Sequence, residues 1–270
     1  MHLPDGLTVY ERSVVTHAGA TYFLARDPAR DVKLLGVEGD AAGFSGERQG
    51  NTLLCPLTPE NAAALAARLP WLNPMPLGLQ TSAGFGDRLG LATPGHAQSA
   101  EGTGIAAVFA QQSVRENTRT GRTPQQVLDD ARCGAFQAGW RAAWGADADH
   151  LKTPESIAPF VEAGYSFYTI DPGDHVDPAA DTDSAQVLRA KVEALPWTQL
   201  DSAPNDLAAR FLGREFDLGA RALRFDEETL LRAAAKYGRA VAHIARMNAA
   251  LSEQMGDRAF DLEISVDETE

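Results

Sequence analysis

The stretch GIAAVFAQQSVRENTRTGRTPQQVLDDARCGAFQAGW, residues 104–140, decides the fold. Residues 104–113 are an apolar run of strand length that ends in polar amides. A loop carrying Arg115, Arg119 and Arg122 follows. The helix then opens on Thr123 as N-cap, with Pro124 at its first position and Gln126 three residues beyond the cap, a capping-box spacing. Strand, polar loop and helix therefore succeed one another within a single segment.

The same order recurs on both sides. PLGLQTSAG (76–84) reads as a strand running into a glycine-rich loop, and ADADHL (146–151) as a short strand. TPESIAPFVEAG (153–164) reads as a helix opened by Thr153 and Pro154, with Pro159 placed to kink it. SFYTIDPGDHVD (166–177) is a strand with its loop. Strands alternating with helices imply parallel pairing through right-handed crossovers. A (β/α) TIM-like barrel fits better than an open dinucleotide-binding sheet. The glycines of GFGDRLG, at 84, 86 and 90, are one residue too widely spaced for G-x-G-x-x-G.

Residues 1–76 read as a small α+β unit ahead of that barrel region, which runs over 77–270. ATYFLA and VKLLGVEG look like strands around the turn RDPARD, and Thr58-Pro59 opens a short helix closed by Pro70 and Pro74. Further on, Leu230, Ala234, Tyr237, Val241, Ile244, Asn248, Leu251 and Met255 recur at spacings of three and four, the buried face of a long helix. Asp226 caps it and Gly256 ends it. On this reading Lys236, Arg239, His243 and Arg246 form a solvated stripe. The segment AFDLEISVDETE (259–270) then alternates like a strand that ends in an acidic cluster, so the barrel is expected to be incomplete over this sequence.

A net charge of -13 and a pI near 4.9 argue against a general polyanion binder, so no nucleic-acid partner is expected. Cys55 and Cys133 match no zinc or redox spacing. The first residues lack a basic start followed by an apolar run, and no apolar stretch reaches the roughly 20 residues of a membrane span. The expectation is a cytoplasmic protein with no membrane partner.

Four polar clusters could carry chemistry. Asp147 and Asp149 share one strand face while His150 turns to the other unless the strand bends. Such a carboxylate–imidazole run suits a base and a metal ligand, and equally a polar rim. Asp171, Asp174, His175 and Asp177 occupy TIDPGDHVD, a strong turn signal that favours a structural reading. The arginine loop could hold a carboxylate bidentately or be simply solvated. Asp267, Glu268 and Glu270 form the last cluster.

Several long stretches together resemble the tagaturonate epimerases: GLQTSAGFGDRLGLATPGH, FAQQSVRENTRTGRTPQQVLDDA, FQAGW, GADADHLKTPESI, AGYSFYTIDPGDHVD and SVDETE. The resemblance covers most of residues 77–270 and is weaker before them. It implies a metal-dependent barrel enzyme that interconverts tagaturonate and fructuronate, with members longer than this chain, whose N-terminal part this sequence would be. By position it implies Asp149 as proton acceptor, Glu268 as proton donor, and His150 as ligand to a divalent cation of the Zn, Mn or Ni class, the other metal-binding histidines lying further downstream. The two sugars differ at a carbinol carbon β to the ketone, so inversion needs a retro-aldol opening or removal and return of hydrogen, with acid and base on opposite faces. The substrate carboxylate needs a cation, for which Arg88, Arg115, Arg119, Arg122 and Lys152 are candidates. The alternatives are a metal-dependent aldolase or ketose isomerase on the same barrel, and an inactive sugar-acid-binding fragment.

Overall fold

A computed structural model describes residues 6–266. Two sheets carry most of the strands. The first contains β1 (Thr8–Val9), β2 (Val15–His17), β3 (Ala20–Asp27), β4 (Val32–Glu38), β5 (Glu47–Gln49) and β6 (Thr52–Pro56), all antiparallel. Their order is β1-β3-β4-β6-β5, with β2 added on β3. Helix α1 (Pro59–Arg68) is capped as the sequence suggests, Thr58 Oγ1 accepting from the Asn61 amide at 3.3 Å. Tyr22, Leu24, Leu35, Val37, Leu53 and Cys55 pack with Leu65, Leu69 and Leu72, and Phe136 of a later helix closes the same core.

The second sheet holds β7 (Ser82–Gly84), β8 (Ala106–Ser113), β9 (Trp144–Leu151), β10 (Phe167–Ile170) and β13 (Asp261–Ile264), in the order β13-β10-β9-β8-β7. β7, β8 and β9 pair in parallel. Spatial order follows chain order with no reversal, as in a barrel wall and unlike a doubly wound sheet with its switch point. The protein is thus mixed α/β, with a sheet compatible with part of a TIM-like barrel.

The chain divides into two compact units. Among the described residues the first contains 6–149, 158–168 and 258–261, so the antiparallel sheet and β7–β9 belong to one unit. Its helices are α1, α2 (Thr93–Ala100), α3 (Val114–Thr120), α4 (Pro124–Ala138) and α5 (Ala158–Ala163). The capping box of α4 forms: the Thr123 side chain accepts from the Gln126 amide and the Gln126 side chain accepts from that of Thr123. Gly139, at φ +70°, closes the helix in the left-handed conformation that suits glycine. At the start of β13 the Asp261 carboxylate accepts the amides of Leu77 and Gly78.

The second unit comprises residues 150–157, 169–257 and, among the described residues, 262–266. It contains α6 (Ala185–Glu193), α7 (Pro204–Phe211), the hairpin β11 (Glu215–Asp217) and β12 (Ala222–Arg224), and α8 (Glu227–Met255). Leu188, Val192 and Leu195 pack on Ala235, with Trp197 and Leu231 beside them.

Local expectations are corrected in five places. The arginine loop is mostly helix: Ser113 caps α3 by accepting from Glu116 and Gly121 ends it at φ +67°, an S-x-x-E start that short length disguises. The strand expected over 76–84 is confined to its last three residues. The single helix over 153–164 is a 3-10 turn, Pro154–Ser156, followed by α5, where Pro159 falls in the first turn and needs no kink. The alternating strand over 259–270 gives β13, whose Leu262 and Ile264 are exposed among the described residues. Leu230, Leu251 and Met255 of the expected face of α8 are buried, but between them the buried stripe runs through Ala235, Ala240, Ala242, His243 and Met247, while Val241 is 51% exposed. His243 is therefore not solvated, being only 4% exposed.

Candidate active site

The first unit gathers polar side chains at the carboxyl ends of β7, β8 and β9. Gln111 is in register with Asp147, and Ser113 with Asp149. Alternate residues share a face, so Asp147 and Asp149 stand on the same side of β9, two residues apart. Asp147 is 1% exposed and accepts from Gln111 Nε2 at 3.4 Å. Asp149, at the strand's end, is half-buried. On the other face of β8 Gln112 turns toward Arg122.

The candidate cations differ in what they already hold. Arg122 is a brace: it donates to the Asp87 carbonyl at 2.6 Å, to Gln112 Oε1 at 3.3 Å and to Asp130 at 2.5 Å. Arg88 pairs with Glu116, Nε donating at 2.6 Å, beside a cavity of about 510 Å³ also lined by Asp87, Leu89 and Leu91. Arg115 and Arg119 are exposed on α3. Asp87 organises the loop between β7 and α2, its two oxygens accepting from the amides of Leu89, Gly90, Ala92 and Thr93. Burial works against its charge, but these amides outweigh it and hold the carboxyl below its ordinary range.

The second unit supplies another cluster. His150 has φ +53°, a left-handed conformation that a non-glycine residue adopts at a cost. This is the bend the sequence left open at the end of β9. Its Nδ1 lies 3.3 Å from Asp171 Oδ2. Lys152 Nζ lies 3.4 Å from the same oxygen and 3.2 Å from Asp174 Oδ1. The Gly173 amide donates to Asp171 Oδ1 at 2.8 Å. Burial would raise the Asp171 pKa, yet Gly173, His150 and Lys152 together hold it below the usual carboxylate value. Burial likewise disfavours the Lys152 charge, and Asp174 and Asp171 outweigh it, so the ammonium is held above its ordinary pKa.

His175 and His243 stack with ring centroids 4.0 Å apart. Arg246 Nη2 lies 2.8 Å from His243 Nδ1. A guanidinium only donates, so Nδ1 accepts and the neutral ring carries its proton on Nε2. Burial, then His175 and Arg246, push the His243 pKa down. Sequence reasoning set His243 on the wrong face. The signal was present, because Ala240, His243, Met247 and Leu251 are spaced three, four and four, a core stripe that runs through the histidine.

Glu268, with Asp267 and Glu270, lies outside the described residues. Asp149, His150 and Lys152 occupy the end of β9 and the residue after it, where parallel α/β enzymes collect their chemistry. A family profile described as tagaturonate epimerase matches residues 10–270. The chain belongs to the tagaturonate epimerase family. The tagaturonate/fructuronate epimerase of Thermotoga maritima is 37% identical over 276 aligned residues, covering 100% of this chain and 55% of the relative. The native crystal structure of the fructuronate-tagaturonate epimerase of Cohnella laeviribosi is 33% identical, with a TM-score of 0.87 over 98% of this chain and 54% of that one. A glycerol complex of the Cohnella epimerase matches with a TM-score of 0.86 at 34% identity, over 97% of this chain and 53% of the other. The chain spans about half the length of these epimerases.

Proposed function

We propose that the chain forms part of a metal-dependent epimerase that interconverts tagaturonate and fructuronate in hexuronate catabolism. The observation that carries this reading is the family match over residues 10–270, joined by relatives bearing that activity in their names. The aspartate–histidine pair at the end of β9 supports it, since those residue types suit acid/base and metal work.

In this reading Asp149 accepts a proton from the substrate and Glu268 returns one from the opposite face. For a retro-aldol course, Asp149 takes the proton of the hydroxyl on the inverting carbon, and the neighbouring carbon–carbon bond opens to an aldehyde and an enediolate. The aldehyde turns, the bond re-forms on its other face, and the new alkoxide is protonated. Every atom is conserved, as an epimerisation requires. Arg88, Arg115, Arg119 and Lys152 are the cations left to hold the substrate carboxylate. Arg122, already held by Asp130, Gln112 and the Asp87 carbonyl, is the weakest candidate of the five.

His150 suits one position of a metal site. A metal-bound histidine commonly gives its second ring nitrogen to a carboxylate, and here Nδ1 faces Asp171. Among the described residues no group of three or more His, Cys, Asp or Glu side chains could hold a metal, so the remaining ligands would come from elsewhere. When bound, a divalent cation of the Zn, Mn or Ni class would polarise a substrate oxygen as a Lewis acid.

The reading also places the protein in the cytoplasm with a small sugar acid as its partner. No helix among the described residues is long and apolar enough to cross a membrane. The test is NMR of tagaturonate incubated with the full-length protein and divalent metal. Fructuronate is the expected product. Three-carbon fragments would replace the reading with an aldolase, a shifted carbonyl with an isomerase, and thermal stabilisation by tagaturonate without turnover with a binding protein.

A further inference from the structure

The Gln111 amide occupies an unusual place. It lies so close over Gly84 that a Cβ on residue 84 would overlap its carbonyl oxygen, carbon and nitrogen together. Gly84 itself is exposed and Gln111 half-buried, so the amide stands at an open face rather than inside packing. Beneath it Asp147, at 1% exposure, accepts from Nε2 at 3.4 Å. A carboxylate accepts and an amide nitrogen donates, so this contact decides which way the amide faces. The carbonyl Oε1, an acceptor, is thereby presented over Gly84.

An acceptor held there asks for a donor, which excludes a substrate carboxylate and selects a hydroxyl. Asp149 stands two residues beyond Asp147 on the same strand face, roughly 6.6 Å along β9. That offset is within the span of a six-carbon chain whose reacting carbon lies at Asp149.

We propose that Gln111 is a specificity-determining residue whose Oε1 accepts a hydrogen bond from one hydroxyl of a polyhydroxy acid. Asp147 is a positioning residue that acts through Gln111 by fixing its amide. The inference rests on the epimerase reading for the identity of the sugar acid.

The test uses the full-length protein with divalent metal, tagaturonate and its mono-deoxy analogues. Gln111→Ala is expected to raise KM for tagaturonate about tenfold, the loss of one hydrogen bond, with kcat changed less. One analogue should bind wild type about tenfold more weakly and be indifferent to the substitution, because the same bond is already missing. Gln111→Met, which keeps the bulk, guards against loss of folding and should reproduce that pattern. Asp147→Asn, which frees the amide to turn over, should raise KM with a smaller loss of discrimination among the analogues. An unchanged KM in both Gln111 variants, or an equal loss across every analogue, would overturn the proposal. If wild type does not turn over tagaturonate, the epimerase reading fails separately. Calorimetric binding of the same sugar acids then decides: a hydroxyl-selective loss in the Gln111 variants upholds the inference, and equal binding to wild type or no binding at all overturns it.

Discussion

His150 Nδ1 lies 3.3 Å from a carboxylate oxygen of Asp171, a side chain only 5% exposed and itself held by the Gly173 amide and Lys152. This pairing orients the imidazole. An outer carboxylate of this kind typically strengthens metal binding about 10–100-fold. Asp171→Asn in the full-length protein should weaken divalent metal binding by that factor, and His150→Ala should weaken it further. Metal titration followed by calorimetry measures both. Wild-type affinity in His150→Ala would remove His150 from the metal site.

The backbone of His150 gives a second, independent expectation. At φ +53° a side chain costs about 1–2 kcal/mol that glycine avoids. His150→Gly and His150→Ala both lose the imidazole, so their difference isolates the strain. Urea unfolding should find the glycine variant more stable by about 1 kcal/mol. Equal stability would mean that the strand relaxes when the imidazole is gone.

His243 sets an acid limit on stability. Its folded pKa lies below the unfolded value of about 6.5, because burial, the stacked His175 and the Arg246 guanidinium all oppose a charge, and Asp171 only partly offsets them. The fold therefore prefers the neutral ring. Its contribution is fully present above pH ~6.5 and is lost as pH falls from there toward the folded pKa, where the unfolded state binds the extra proton. The melting temperature should drop across that window. His243→Gln, which cannot titrate, should flatten it while leaving the separate loss near carboxylate pKa values. An unaltered slope would show that other groups set the acid response.

These residues also show what the sequence could and could not express. The order of β8, α4, β9, α5 and β10 was legible because apolar runs, Thr-Pro starts and glycine stops are local features. Thr58 and Thr123 cap the helices they were expected to cap. The short α3 was hidden because seven residues carry too little periodicity to separate helix from loop. His243 was misplaced because its neighbours Arg239 and Arg246 suggested a charged face, whereas the buried stripe of α8 includes the histidine. The sequence marks Asp171 as a turn former, and it is one, accepting from Gly173 two residues on. Its second task, holding His150, depends on two segments separated in sequence, and no local pattern encodes that. Asp149 and His150 were singled out by type and position, whereas the roles given to them rest on resemblance.

Asp149 is the residue on which the acid/base reading stands. It stands half-buried near the end of a parallel strand, next to His150 and in register with Ser113, whose hydroxyl caps α3. Asn at this position keeps the shape and loses the basic oxygen, so folding and substrate binding should persist. Positioned general bases contribute about 10²–10⁴-fold to a rate. Asp149→Asn in the full-length protein should lower kcat within that range, with KM changed little. A tagaturonate carrying deuterium on the inverting carbon adds a second readout. A retro-aldol course keeps the label in fructuronate, whereas proton exchange at that carbon washes it into solvent. Full activity in Asp149→Asn would move the base elsewhere, and label loss in wild type would replace bond opening with direct proton removal.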